Sequence, residues 1–274
     1  MDLPERIQSL ISHHFPWGEG DKPADPGTGP DQLRVVEAWL EKQTLIHGAI
    51  ALALIARLTP LLDEVGDAAK QRDGERLFYR LDTVHLVKNP ASILERMVRE
   101  VEPPKAPCIS FDSLRDLKDL GRFRIVVNFL SDARLLRDRI ARAWAPRTGE
   151  RTPAECALFR EFELKGSFED LIDQAPKDRT KGERCYKGLF HPKREHRDCT
   201  IEIQIQTQLQ EAWDKKDHCL IYEPRRRGEC PRPEHEREIY AMSELLYLAD
   251  LTFDRIRQGV LESRGTGDNH ATQK

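Results

Sequence analysis

In CTIEIQIQT, residues 199–207, the side chains alternate strictly. Ile201, Ile203 and Ile205 fall on one face of a strand, and Glu202, Gln204 and Gln206 on the other. β-Branched residues dominate the stretch, as suits a pleated strand packed on a core. The second face holds one carboxylate between amides. It is either an ordinary outer face turned to water or the floor of a polar cleft with a carboxylate fixed on a rigid strand.

The neighbouring segments bear on that choice. RFRIVVNFL, 122–130, is a dense apolar run and reads as a central strand. Asp119 and Gly121 stand just before it. Asp119 there is either a turn residue or a magnesium ligand, since magnesium takes one or two carboxylates plus substrate phosphates. RLFYRLDTVHLVK, 76–88, reads as a strand, followed after Pro90 by a short helix, ASILERMVRE, with Ile93, Met97 and Val101 on one side. Lys88, Ser92 and Arg96 recur every four residues across that junction. With the free N–H groups and partial positive charge of a helix start they form either a phosphate cradle or a solvated basic face.

Downstream, 157–174 mixes strand and helix signals, and 174–185 is a charged loop expected to be mobile. CYKGLFHPK, 185–193, reads as a strand with Tyr186 at its mouth. After Thr207 comes a helix, QLQEAWDKKDHCLIYE, with Trp213 inward and Glu211, Lys215 and Lys216 as exposed pairs.

The domain plan follows. Residues 1–30 are a flexible N-terminal segment ending in a Gly/Pro-rich linker. Asp31 caps a long helix that Pro60 kinks or restarts and that Gly66 and Gly74 bracket at its end. Residues 131–144 form a capped helix with Leu135, Ile140 and Trp144 inward, and 145–155 a polar loop. The main domain spans 31–225. A last helix, 226–264, carries Ile239, Met242, Leu246, Phe253, Ile256 and Val260 at helical spacing, a stripe for the domain or a partner. Residues 265–274 are expected to be a disordered tail.

The chain has 274 residues, 39% hydrophobic and 33% charged, with net charge −3. That balance excludes global attraction to nucleic acid, so any anion site is local. Six cysteines at irregular spacing, with no CxxC pair and no signal peptide, read as reduced thiols of a cytoplasmic protein. The longest apolar run, Ala49–Ala56, is too short to cross a membrane.

Four segments in order resemble one family. KNPASILERM resembles the KSPESILEKM segment of RelA/SpoT-type alarmone synthetases. DLKDLGRFRIVV is similar to their DLxDLxGxRIIV, and KDRTKGERCYKGLFH to a shortened KDYIxxPKxNGYRSLH. IEIQIQTQLQEAWDKKDHCLIYE is similar to EVQIRTxxxxxWAxxEHxxxYK. The resemblance covers about residues 75–223. No His-Asp dipeptide is present, and the chain looks like a small, synthetase-only member.

The resemblance implies an α+β fold, a nucleotidyltransferase-like mixed sheet of about five strands flanked by helices, with long N- and C-terminal helices. It implies transfer of pyrophosphate from ATP to the ribose 3′-hydroxyl of GTP or GDP, giving guanosine penta- and tetraphosphate, with magnesium as cofactor. Carried over, Lys88, Ser92, Arg96, Arg124 and Lys177 bind the ATP phosphates. Asp119 and Glu202 are the catalytic carboxylates and magnesium ligands. Tyr186 stacks on the acceptor base, with Gln204 beside Glu202 and His218 closing the acceptor side. A homo-oligomer through the terminal helices is a further expectation. The chain departs from the pattern at Leu86, where RxKS has Arg, and at Cys185, Gln206 and Glu223. Those departures keep two alternatives open. One is a toxin-type relative acting on the tRNA 3′ end or adenine nucleotides. The other is a degenerate nucleotide-binding regulatory protein.

Overall fold

The computed structural model describes residues 29–94, 118–145, 150–173, 182–227 and 229–271. The linker ahead of the first helix, most of the helix after Pro90 and most of the 174–185 loop lie outside them, as do Arg96 and Lys177.

The expected sheet is present, with six strands. Strand β6, Ile201–Thr207, lies at its centre. On one side it pairs in parallel with β2, Gly121–Val127, which pairs antiparallel with the edge strand β1, Tyr79–Asp82. On the other side it pairs antiparallel with β5, Tyr186–Pro192. β5 in turn pairs with β3, Phe162–Leu164, and with the two-residue β4, Glu169–Asp170.

The parallel β2–β6 pair requires a long crossover. Part of it is α2, Leu130–Ala141, and α3, Pro153–Glu161. These helices and α1, Gly29–Asp73, cover the face that carries Ile125, Ile201, Ile203, Ile205 and Phe190, all buried. On the opposite side α4, Gln208–Asp217, runs through a π-helical turn, His218–Tyr222, into the short α5, Glu223–Arg226. It packs on the last helix, α6, Pro233–Ala271.

Several expectations change here. α1 passes through Pro60 without ending, because Leu54, Leu58, Leu61 and Leu62 are fully buried on both sides of it and fix the helix by packing. It stops at Gly74, whose φ of 76° suits glycine. By length and composition alone, Glu37–Asp73 is apolar enough to cross a membrane, which the short Ala49–Ala56 run did not suggest. Its inward face, however, is part of the core. The 76–88 segment yields only a four-residue strand and an isolated bridge from Val87 to Gly121. Within the expected 145–155 loop, Thr152 and Glu155 form a capping box that starts α3.

α2 has no side-chain cap of its own. Asp254 of α6 supplies one, accepting from the backbone N and the hydroxyl of Ser131 at 2.8 Å each. That contact belongs to a wider pattern: α6 docks through polar groups. Glu244 takes Arg184 and Tyr247 donates to Asp173, at 2.7 and 3.0 Å. Met242, Phe253, Ile256 and Val260 of the expected apolar stripe instead face outward. The helix also extends through residues 265–271, expected as a disordered tail.

Candidate active site

Because side chains alternate along each strand, the face opposite the isoleucines collects Arg80 from β1, Arg122 and Arg124 from β2, Glu202, Gln204 and Gln206 from β6, and Lys187 from β5. This face is not an ordinary wet surface. Gln204 and Gln206 are buried, and Glu202 and Lys187 are half-buried or more.

The polar groups form a chain of hydrogen bonds. Asp214 of α4 accepts from Nη2 of Arg124 at 2.6 Å. Arg124 Nε donates to Gln204 Oε1 at 3.0 Å, and Gln204 Nε2 donates to Glu202 Oε1 at 2.8 Å. Each donor fixes the next acceptor, so the Gln204 amide can only offer N–H to the carboxylate. Burial pushes the Glu202 carboxyl above the usual carboxylate range. Lys187 and the Gln204 amide pull it back, while Glu183 and Asp119 add to the rise. Lys187 itself donates to Glu183 at 2.7 Å. Burial opposes its charge, yet Glu183 and Glu202 outweigh that and hold the ammonium above its ordinary value.

Asp119 sits in the turn before β2. Parallel pairing brings Gly121 level with Ile201, so Asp119 and Glu202 share one end of the sheet. There Lys88 Nζ meets Asp119 Oδ2 at 2.6 Å. Lys88 is held by backbone as well, its N–H donating to the Leu120 carbonyl at 2.9 Å. Just beyond, the Asn89 side chain accepts from Ala91 N at 2.9 Å and caps the helix that begins at 90. Ser92 lies half-buried in its first turn. Lys88, Ser92, Asp119 and Glu202 thus come from three segments to one region.

Tyr186 does not join them. It pairs with Ile205 in register and takes the isoleucine side of the sheet. Its ring is fully buried, the Arg137 guanidinium lies 4.4 Å from its centroid, and its hydroxyl donates to Asp173 at 3.2 Å. A ring in that position is closed to a base on the Glu202 face, and its neighbour Lys187 occupies the site instead. His218 is exposed in the π-helical turn, 3.4 Å from Glu223 and stacked at a tilt on Tyr222. Glu211, expected in an exposed pair, is buried and takes Arg80 of β1 through both oxygens at 2.6 Å.

Sequence reasoning passed over Lys187, Glu183 and Asp214. Alternation within CYKGLFH put either Tyr186 or Lys187 on the Glu202 face, and only the β5–β6 register decides between them. Among the described residues no group of three or more His, Cys, Asp or Glu is arranged to hold a metal. The donor set of Asp119 and Glu202 is nevertheless suited to magnesium. Both are hard oxygen donors close enough for Asp119 to raise Glu202, and magnesium asks for only one or two carboxylates beside phosphate oxygens.

No curated protein matches the chain. Among solved structures it is similar to small alarmone synthetase 1 from Bacillus subtilis bound to its product pppGpp, with 18% identity and TM-score 0.53 over 80% of this chain and 98% of that one. It is also similar to a GTP pyrophosphokinase family protein from Streptococcus pneumoniae, with 19% identity and TM-score 0.52 over 78% and 92%. Small alarmone synthetase 2 from Bacillus subtilis gives 16% and 0.51 over 80% and 98%. At these identities the likeness shows the shared fold. The family match is to the sequence itself and covers residues 85–227, from the Lys88 segment through β6 and α4. The chain therefore belongs to the family described as the region found in RelA / SpoT proteins.

Proposed function

We propose that this chain transfers pyrophosphate from ATP to the ribose 3′-hydroxyl of GTP or GDP. The observation that carries the reading is the juxtaposition of the Lys88–Asp119 pair with Glu202, whose carboxylate is oriented by Gln204. In the reaction the 3′-oxygen attacks the β-phosphorus of ATP, the bond from that phosphorus to the α,β-bridging oxygen breaks, and AMP leaves. Glu202 takes the 3′-hydroxyl proton. A carboxyl raised by burial is a stronger base than a solvated one. Lys88 neutralises phosphate charge, with Ser92, Arg96 and Lys177 assigned to the same task. Positioning and electrostatics supply most of the catalysis in such a displacement. Asp119 and Glu202 would hold magnesium, which supplies charge neutralisation on the transferring group when bound.

Arg124 has another part. Its guanidinium is paired with Asp214 and Gln204, so it positions Glu202 through Gln204. Membership of the family and the synthetase-like fold support the reading. Purified protein with magnesium and γ-labelled ATP, given GDP, GTP, ATP or deacylated tRNA as acceptor, tests it. Label on GDP or GTP, lost in Glu202→Gln, is the expected result. Label on tRNA or ATP alone overturns the acceptor assignment, and nucleotide binding without transfer overturns the enzyme.

A further inference from the structure

We infer that Arg122 is an anion-binding residue of this site, a guanidinium held available for the phosphates of a nucleoside polyphosphate. The inference rests on the pyrophosphate-transfer reading only for which nucleotides to test. Arg122 is level with Glu202 in the parallel β2–β6 register and therefore shares its face of the sheet. It lies three residues beyond Asp119, at the end of the sheet where Lys88, Asp119 and Glu202 meet.

Each cation around it has a carboxylate partner. Arg80 is paired with Glu211, Lys88 with Asp119, Arg124 with Asp214 and Lys187 with Glu183. Arg122 is half-buried, and among the described residues its guanidinium has no hydrogen-bond or ion-pair partner. Nor does it hold Glu202, whose perturbation comes from burial, Lys187, Gln204, Glu183 and Asp119. A half-buried guanidinium without a partner gives up hydration and gains nothing for the fold. Its planar set of five donors matches a phosphate far better than any neighbour left unpaired here.

Sequence and backbone agree with that assignment. Arg122 stands where the segment DLxDLxGxRIIV has Gly, and Leu86 stands where RxKS has Arg. The Arg122 N–H donates to the Leu86 carbonyl at 2.9 Å. The two positions at which the chain departs from the pattern are thus joined by one backbone hydrogen bond.

Calorimetric titration of the full chain in magnesium with inorganic pyrophosphate, ATP and GDP, at low and high salt, tests the inference without requiring transfer. Arg122→Gln should weaken at least one ligand roughly ten- to a hundredfold, as loss of a charge-assisted pair does. It should also flatten the salt dependence of that ligand and leave the melting temperature unchanged or raised. Arg122→Lys should recover part of the affinity. An effect on ATP and pyrophosphate alone places Arg122 on the donor, and an effect on GDP alone places it on the acceptor. Affinities unchanged within twofold for all three ligands overturn the inference. So does a wild-type chain that binds none of them, or a fall in melting temperature that accounts for the loss. Wild-type protein that binds through Arg122 but transfers no pyrophosphate overturns the enzymatic reading and leaves Arg122 standing.

Discussion

Gln204 donates to Glu202 at 2.8 Å with its amide already turned by Arg124, which is itself anchored 2.6 Å from Asp214 on a different element. The side chain that orients the carboxylate is therefore set by a helix lying across the sheet. Release of Arg124 in Asp214→Asn lets the Gln204 amide rotate, and Glu202 loses an N–H that favours its charged form. Glu202 already lies above the usual range because burial dominates. Its ionised form then becomes harder to reach, so the acidic limb of the pH–rate profile moves to higher pH. Supporting residues of this kind change activity by roughly ten- to a hundredfold. Asp214→Glu should restore the limb in part. A profile that stays in place in Asp214→Asn separates Arg124 from Glu202.

Tyr186 makes a second prediction, opposite to the one its motif suggests. Tyr186→Phe removes the hydroxyl bond to Asp173 and should cost about 1 kcal/mol of stability, while GDP affinity stays within twofold. Tyr186→Ala leaves a core cavity and should cost about 3–5 kcal/mol. Denaturant unfolding and GDP titration of the Phe variant decide the matter. Intact stability with lost GDP binding would return Tyr186 to the acceptor site.

Gly121 joins Asp119 to β2. A Cβ there would lie 2.4 Å from Ile201 Cδ1 and 3.2 Å from His47 Cβ. Gly121→Ala should destabilise by about 1–3 kcal/mol through overpacking and shift the Asp119 turn. Transfer activity measured well below the melting point should fall with it.

Asp250 gives a pH-dependent stability. It is buried on α6, accepting from Thr207 Oγ1 at 2.7 Å and Gln210 Nε2 at 3.1 Å. Burial raises its carboxyl above the ordinary value, and these two bonds lower it by less. A carboxyl raised by folding contributes stability that is present below its unfolded pKa and lost as pH rises through the folded one. Asp250→Asn keeps an acceptor oxygen for both donors and removes the charge. The variant's advantage over wild type in urea unfolding should therefore grow from acid to mildly alkaline pH. An advantage that shrinks with pH contradicts the assignment.

The alternation in 199–207 was enough to set a strand with isoleucines inward and Glu202 opposite, because period two is a local property of extended chain. The same is true of the apolar β2 run and of the four segments that mark the family. Locally readable features elsewhere passed unread: the Asn89 cap of the helix at 90 and the Thr152–Glu155 capping box are both written in nearby residues.

Other facts have no local signal. Tyr186 and Lys187 are neighbours in sequence, and which of them faces Glu202 depends on a register set by long-range pairing with β6. Pro60 argues against a continuous helix, and the buried leucines around it prevail because packing outweighs one lost backbone hydrogen bond. By itself the sequence determined the central strand, the face that carries Glu202 and the family. Only the tertiary structure decided which neighbours reach that carboxylate, since Gln204, Arg124 and Asp214 act through contacts between separate elements. It also left Arg122, alone among the described cations of that face, without a partner.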